Sequence, residues 1–267
     1  MDTITNSQIL FAFLLTAIAG LSTGIGSLIA LLSKKTNKNF LSISLGFSAG
    51  IMIYVSFMEM MPQGLEELSL AFGEKLGTLY LIISFFTGMF LISLIDFLIP
   101  EQINPHEAHG VEEMNKAVQL KRTGIMVAVS IAIHNFPEGI ATFTSALSSL
   151  DVAIPITIAI AIHNIPEGIA VAVPIYHATG SRKKAFWYSF LSGLAEPLGA
   201  LLAFLFLMKF WTPILSGITL AAVAGIMVFI SLDELLPSAE KYGKHHLSIT
   251  GVVVGMLVMA VSLFLFV

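Results

Sequence analysis

There is no cysteine anywhere in the chain. Disulfides, thiolate zinc sites and cysteine nucleophiles are therefore excluded, and any bound metal must be held by nitrogen, oxygen or a thioether. Charge is also scarce. Only 11% of residues are Asp, Glu, Lys or Arg, where soluble domains carry about 25%. A soluble fold is excluded by that shortage together with a 56% hydrophobic composition and a mean hydropathy of +0.90. The HExxH pattern of zinc hydrolases is absent, the formal net charge of -4 says little in a chain of this kind, and no nucleic-acid partner is expected. No positively charged stretch precedes the first apolar run, which is too long for the hydrophobic region of a signal peptide, so it is expected to stay as a membrane helix.

What remains is a chain written for lipid. A spanning helix needs about 20 mainly apolar residues, and eight runs of that kind, bounded by charge or by Gly/Pro turns, lie at 8–32, 40–61, 77–99, 122–147, 152–176, 185–208, 212–236 and 247–267. They predict an all-α integral membrane protein in which residues 1–267 form a single transporter-like domain. Residues 101–121 are expected to be a short cytoplasmic loop. Eleven of the thirteen basic residues fall in the connections 1–2, 3–4, 5–6 and 7–8, leaving only Lys75 and Lys209 on the other side. Under the positive-inside rule the basic side is cytoplasmic and both termini are extracytoplasmic. The lipid bilayer is thus the first partner expected, with the cell (inner) membrane as the location.

Within the apolar runs one phrase occurs twice: IAIHNFPEGIA from Ile131 to Ala141 and IAIHNIPEGIA from Ile160 to Ala170. The copies sit in consecutive helices, which run antiparallel, so the duplication is inverted. A second pair, AGIMIYVSFMEMMP (Ala49 to Pro62) and AGIMVFISLDELLP (Ala224 to Pro237), lies in helices 2 and 7; a fainter one, GLSTGIGSLIA (Gly20 to Ala30) and GLAEPLGALLA (Gly193 to Ala203), lies in helices 1 and 6. Helices 1–3 then map onto 6–8 and helix 4 onto 5, the inverted repeat of many secondary transporters, whose substrate site lies near the bilayer midplane at the repeat interface.

His134 and His163 each lie about twelve residues inside their helices, or ~18 Å at 1.5 Å per residue. Both copies are therefore expected near mid-bilayer. Ionisable side chains there are costly and point to function. His134 and Glu138 are spaced one turn apart on one helical face, as are His163 and Glu167, so two opposed faces can offer two imidazoles and two carboxylates to one divalent cation. This N/O set suits Zn, Fe(II), Mn and Co better than Ca, Mg or Cu(I). Pro137 and Pro166 leave the carbonyls of Ile133 and Ile162 without their usual intrahelical partners. Asn135 and Asn164 bring amide oxygens to a neighbouring position, and the glycine after each Glu lets another helix approach closely. Glu196, again before a proline and about a dozen residues into helix 6, is expected to join the site.

Asp96, Asp233 and Glu234 lie toward the cytoplasmic face and Glu59 toward the outer one; they can mark an exit and an entrance, or simply face water at helix ends. His106, His109, His177, His245 and His246 lie on the cytoplasmic side and can be ordinary loop histidines.

With the two HNxPEG motifs in an eight-helix chain, the sequence resembles the ZIP (Zrt- and Irt-like) metal transporter family, most of all its bacterial ZupT/GufA-like branch, over essentially its whole length. The resemblance implies a binuclear centre: His134, Glu138, His163 and Glu167 for one ion, with Met52 as a possible thioether contact, and Asn135, Asn164 and Glu196, sharing Glu138 and Glu167, for a second. It further implies an exit-side site at Asp96, Asp233 and Glu234, metal import without ATP, and often a homodimer. The expected function is import of Zn2+, with Fe2+, Mn2+, Co2+ and Cd2+ as further cargo, by alternating access; the metal is substrate, and no cofactor is expected. The alternatives from other classes are an intramembrane zinc-dependent hydrolase and a proton-coupled carrier of an organic solute.

Overall fold

The structure, a computed structural model, describes residues 5–32, 38–98, 116–148 and 150–266. Among these it is helical almost throughout, in eight rods. They are α1 (Asn6–Leu32), α2 (38–72), α3 (Glu74–Leu98), α4 (Lys116–Ser148), α5 (Leu150–Thr179), α6 (182–210), α7 (213–242) and α8 (His245–Phe266). Seven contain stretches long and apolar enough to cross a membrane; α4, 33 residues long, packs among them against α1, α5, α6 and α7. Apolar side chains such as Ile83, Phe86, Phe90, Val253 and Leu257 stand exposed on α3 and α8. In water such faces would be a liability; against hydrocarbon they match the solvent.

Three rods differ from the sequence-based bounds. α2 was expected to end at 61 but continues to Phe72, because Gln63, Glu66 and Glu67 lower the hydropathy of that turn without opposing helix formation. It passes into α3 through Gly73, whose φ of 79° is backbone that glycine adopts readily. α4 begins at Lys116, so the end of the expected 101–121 loop is already helical; residues 99–115 lie outside the described residues. α6 is interrupted at Leu194, between Arg182–Gly193 and Ala195–Leu202. Pro197 has no N–H to give to the Gly193 carbonyl, so the ladder breaks beside Glu196.

Two other irregularities fall at matching places. α2 contains a π-helical turn at Ser56–Met60 and α7 one at Ser231–Leu235. In each, the leading serine donates to the carbonyl four residues back, Ser56 to Met52 at 2.7 Å and Ser231 to Met227 at 2.8 Å. Pro62 and Pro237 follow directly in the next α-helical turn.

Helix packing has the symmetry of the sequence repeat. Exchanging α1 with α6, α2 with α7, α3 with α8 and α4 with α5 turns the α1–α5 contact into α6–α4, α2–α8 into α7–α3, α2–α5 into α7–α4 and α1–α4 into α6–α5, and all of these contacts exist. The match holds to single residues. A β-carbon at Gly26 would strike the Ile165 carbonyl, and its counterpart at Gly199 would strike the Phe136 carbonyl. Gly168 meets the Thr23 carbonyl as Gly139 meets that of Glu196. These close approaches include the faint helix 1/helix 6 pair, so that repeat is structural and not coincidental.

The packing departs from this symmetry beside α4. A cavity of about 690 Å³ lies between α3 and α7 on one side and α4 and α6 on the other, with an apolar lining that includes Leu91, Ile95, Phe136, Pro137, Leu198 and Ile226. On the equivalent side α5 packs directly against α2 and α8.

Candidate metal site

The two HNxPEG motifs meet in the middle of the bundle, where α4 and α5 cross. Glu138, His163, Asn164 and Glu167 are fully buried, as are Asn135 and Glu196. His163 Nε2 stands 3.2 Å from Glu138 Oε1, which ties one copy of the motif to the other. The antiparallel course of α4 and α5 makes this contact possible, bringing His163 of one copy onto Glu138 of the other. The His134 side chain lies outside the described residues.

Three further helices close around the pair. From α2, Ser48 Oγ donates to Glu167 Oε1 at 3.1 Å and approaches the His163 carbonyl at 3.4 Å. From α6, Glu196 accepts from Asn164 Nδ2. That amide also donates to the Ala19 carbonyl of α1 at 3.0 Å, and Asn135 Nδ2 donates to the Ser192 carbonyl of α6 at 3.5 Å. With both amide nitrogens turned to backbone, the amide oxygens Asn135 Oδ1 and Asn164 Oδ1 remain without hydrogen bonds among the described residues, as does Glu138 Oε2. Buried acceptors left in this way cost free energy unless something positive meets them. Oxygens from both copies and the imidazole of His163 form a donor set for a borderline divalent cation. Among the described residues no three His, Asp or Glu side chains are drawn together as a closed metal cage.

A family profile described as ZIP zinc transporter matches residues 98–263, the part of the chain holding both motifs, Glu196 and the α7 repeat. The chain belongs to the ZIP zinc transporter family. Relatives described as zinc transporter ZupT extend the similarity to nearly the whole length. The protein of Streptococcus mutans is 63% identical over 263 residues, covering 98% of this chain and 100% of the relative. That of Clostridium perfringens is 57% identical, covering 98% of each, and that of Chlorobium luteolum 62%, covering 95% and 97%. The buried His/Glu/Asn crossing lies in the part of the chain that the family profile matches, between the two copies of the repeated motif.

The remaining candidates fall elsewhere in the molecule. Met52 is fully buried on α2, one turn beyond Ser48. Asp233 and Glu234 sit in the π-helical turn of α7, which packs chiefly against α2. Asp96 lies near the end of α3. Glu59 occupies the corresponding turn of α2. His245 Nδ1 pairs with Glu240 at 2.5 Å at an exposed position. His106 and His109, and the side chain of His177, lie outside the described residues.

Ser48 was missed from sequence because serine is common in membrane helices. The signal was in the repeat: Ser48 precedes AGIM by no more than one position, where the α7 copy has Val223, so a hydroxyl stands on one side of the pseudo-twofold only.

Proposed function

We propose that this chain imports Zn2+ into the cytoplasm, with Fe2+, Mn2+, Co2+ and Cd2+ as further cargo, as a carrier in the cell (inner) membrane. The observation that carries this reading is the buried meeting of His163 with Glu138 across the two motif copies, surrounded by uncompensated amide and carboxylate oxygens. The relatives are described as zinc transporters, and this chain is taken to move the same ion. It is a transporter and not an enzyme: the intramembrane hydrolase has no observation in its favour, and an inverted repeat serves alternating access.

In this mechanism the ion enters from the outer face past Glu59, exchanges water for His134, Glu138, His163 and Glu167, and is shared with a second position held by Asn135, Asn164 and Glu196. Met52 approaches from α2 as a soft thioether. Release passes Asp96, Asp233 and Glu234 on the cytoplasmic side. The departure from twofold packing supports alternation: α4 stands off from α3 across the apolar cavity, while α5 is closed against α2 and α8. The opposite state exchanges these relations as α1, α4, α5 and α6 shift against α2, α3, α7 and α8. Both termini face outward in this orientation, as the basic connections require.

The test uses purified protein in liposomes that enclose a zinc-sensitive dye. Influx above that of empty vesicles, lost in a His134→Ala/His163→Ala double variant, is expected. Influx no greater than in empty vesicles, or equal influx in the double variant, would remove the reading. A homodimer belongs to the same proposal and predicts a doubled protein mass, after subtraction of detergent, by light scattering.

A further inference from the structure

The same operation that carries one motif copy onto the other carries Glu196 of α6 onto Thr23 of α1. The Glu196 carbonyl lies against Gly139, next to Glu138; the Thr23 carbonyl lies against Gly168, next to Glu167. Asn164 donates to the Ala19 carbonyl four residues before Thr23, and Asn135 to the Ser192 carbonyl four residues before Glu196. At the α1–α6 crossing the two side chains flank the axis: a β-carbon on Gly193 would stand 2.9 Å from Thr23 Oγ1, and one on Gly20 would stand 3.4 Å from the Glu196 β-carbon. Both residues are fully buried.

Their bonding is different. Glu196 reaches across to Asn164. The counterpart of that reach would carry the Thr23 hydroxyl toward Asn135, yet Thr23 Oγ1 and Asn135 Oδ1 both lack hydrogen-bond partners among the described residues. A buried threonine in a helix ordinarily satisfies its hydroxyl on the carbonyl four residues back, as Thr16 and Thr157 do here at 2.9 and 2.7 Å. Thr23 does not.

We propose that Thr23 is a specificity-determining residue of the ion site: its hydroxyl supplies a neutral oxygen on the Asn135 side, where Glu196 supplies a charged one on the Asn164 side. This rests on the site reading given above. A neutral hydroxyl adds coordination without adding negative charge, so the site keeps its attraction for a divalent ion while remaining weak enough to release it. Hydroxyl and amide oxygens favour harder ions more than they favour zinc, which keeps the imidazoles. Thr23 therefore widens the range of metals carried.

The test is uptake of Zn2+ and of Mn2+ by proteoliposomes containing wild type, Thr23→Val, Thr23→Ser or Glu138→Gln. Thr23→Val keeps the side-chain shape and is expected to raise the half-saturating Mn2+ concentration by about three- to tenfold, the effect of losing one neutral polar contact. Zinc should shift less, and Thr23→Ser should restore the wild-type ratio, which a packing role alone would not predict. If Thr23→Val does not fold, Thr23→Ala removes the hydroxyl without adding volume and answers the same question. Unchanged half-saturation for both ions in the hydroxyl-free variant, with Glu138→Gln inactive, overturns the role of Thr23 alone. Full activity of Glu138→Gln overturns the site reading and Thr23 with it.

Discussion

Glu138 is the carboxylate that ties one motif copy to the other. It is fully buried, joins His163 across the helix crossing, and leaves Oε2 without a hydrogen bond. Replacing it by glutamine keeps the shape but removes the charge that makes the crossing attractive to a divalent ion. Glu138→Gln is expected to lower metal affinity by at least about tenfold, measured by zinc titration of purified protein. Ser48→Ala should do less. It frees Glu167 from one neutral hydrogen bond, so a shift of about three- to tenfold in half-saturation is expected, with no loss of folding. The ligand residues themselves were legible in the sequence because His, Asn and Glu stand out at mid-membrane depth and occur twice. Ser48 and Thr23 were not, because a hydroxyl in a membrane helix normally bonds its own backbone and carries no message about function. The repeat pairs Ser48 with Val223 and Thr23 with Glu196, but only the fold shows what surrounds the two hydroxyls.

At the scale of the helix, the glycines after each motif Glu decide how closely neighbours approach. α6 and α1 press their carbonyls onto Gly139 and Gly168, at the level of Glu138 and Glu167. A methyl group at either position must push backbone aside, since the opposing atom is a carbonyl oxygen and not the end of a flexible side chain. Gly139→Ala and Gly168→Ala are each expected to destabilise the fold by about 1–3 kcal/mol, the usual range for overpacking. Thermal unfolding in detergent will show it as a lowered midpoint. Gly139→Ala also displaces Glu196 and Gly168→Ala displaces Thr23, so both should impair transport in whatever folded protein remains. The eight helices were readable from apolar runs bounded by charge. Their π-helical turns and the break at Leu194 were not, because hydropathy reports burial in lipid and is blind to which carbonyl a given N–H selects. The prolines at 62, 197 and 237 mark the places, yet a proline alone does not say whether a helix kinks, shifts to π geometry or stops.

For the molecule as a whole, the inverted repeat brings the buried Glu, His and Asn side chains of the two motif copies together, and the cavity beside α4 is where the two halves of the repeat part company. Metal binding requires deprotonated imidazole and carboxylate, so ions and protons compete for the same atoms. Zinc uptake is expected to weaken as external pH is lowered from about 7 to about 5. The sign follows from the ligands: acid adds protons to the unloaded site and withdraws it from metal, whereas a site built only from amides and backbone carbonyls would be indifferent. Proteoliposome uptake at fixed free zinc across that range checks it. The most direct measurement of the central claim, that the two motif copies are halves of a single site, is zinc uptake by Glu138→Gln and by Glu167→Gln, each altered in one copy only. A single shared site predicts that either substitution alone abolishes transport; two independent sites would leave each variant with about half the wild-type rate, and that result would contradict it.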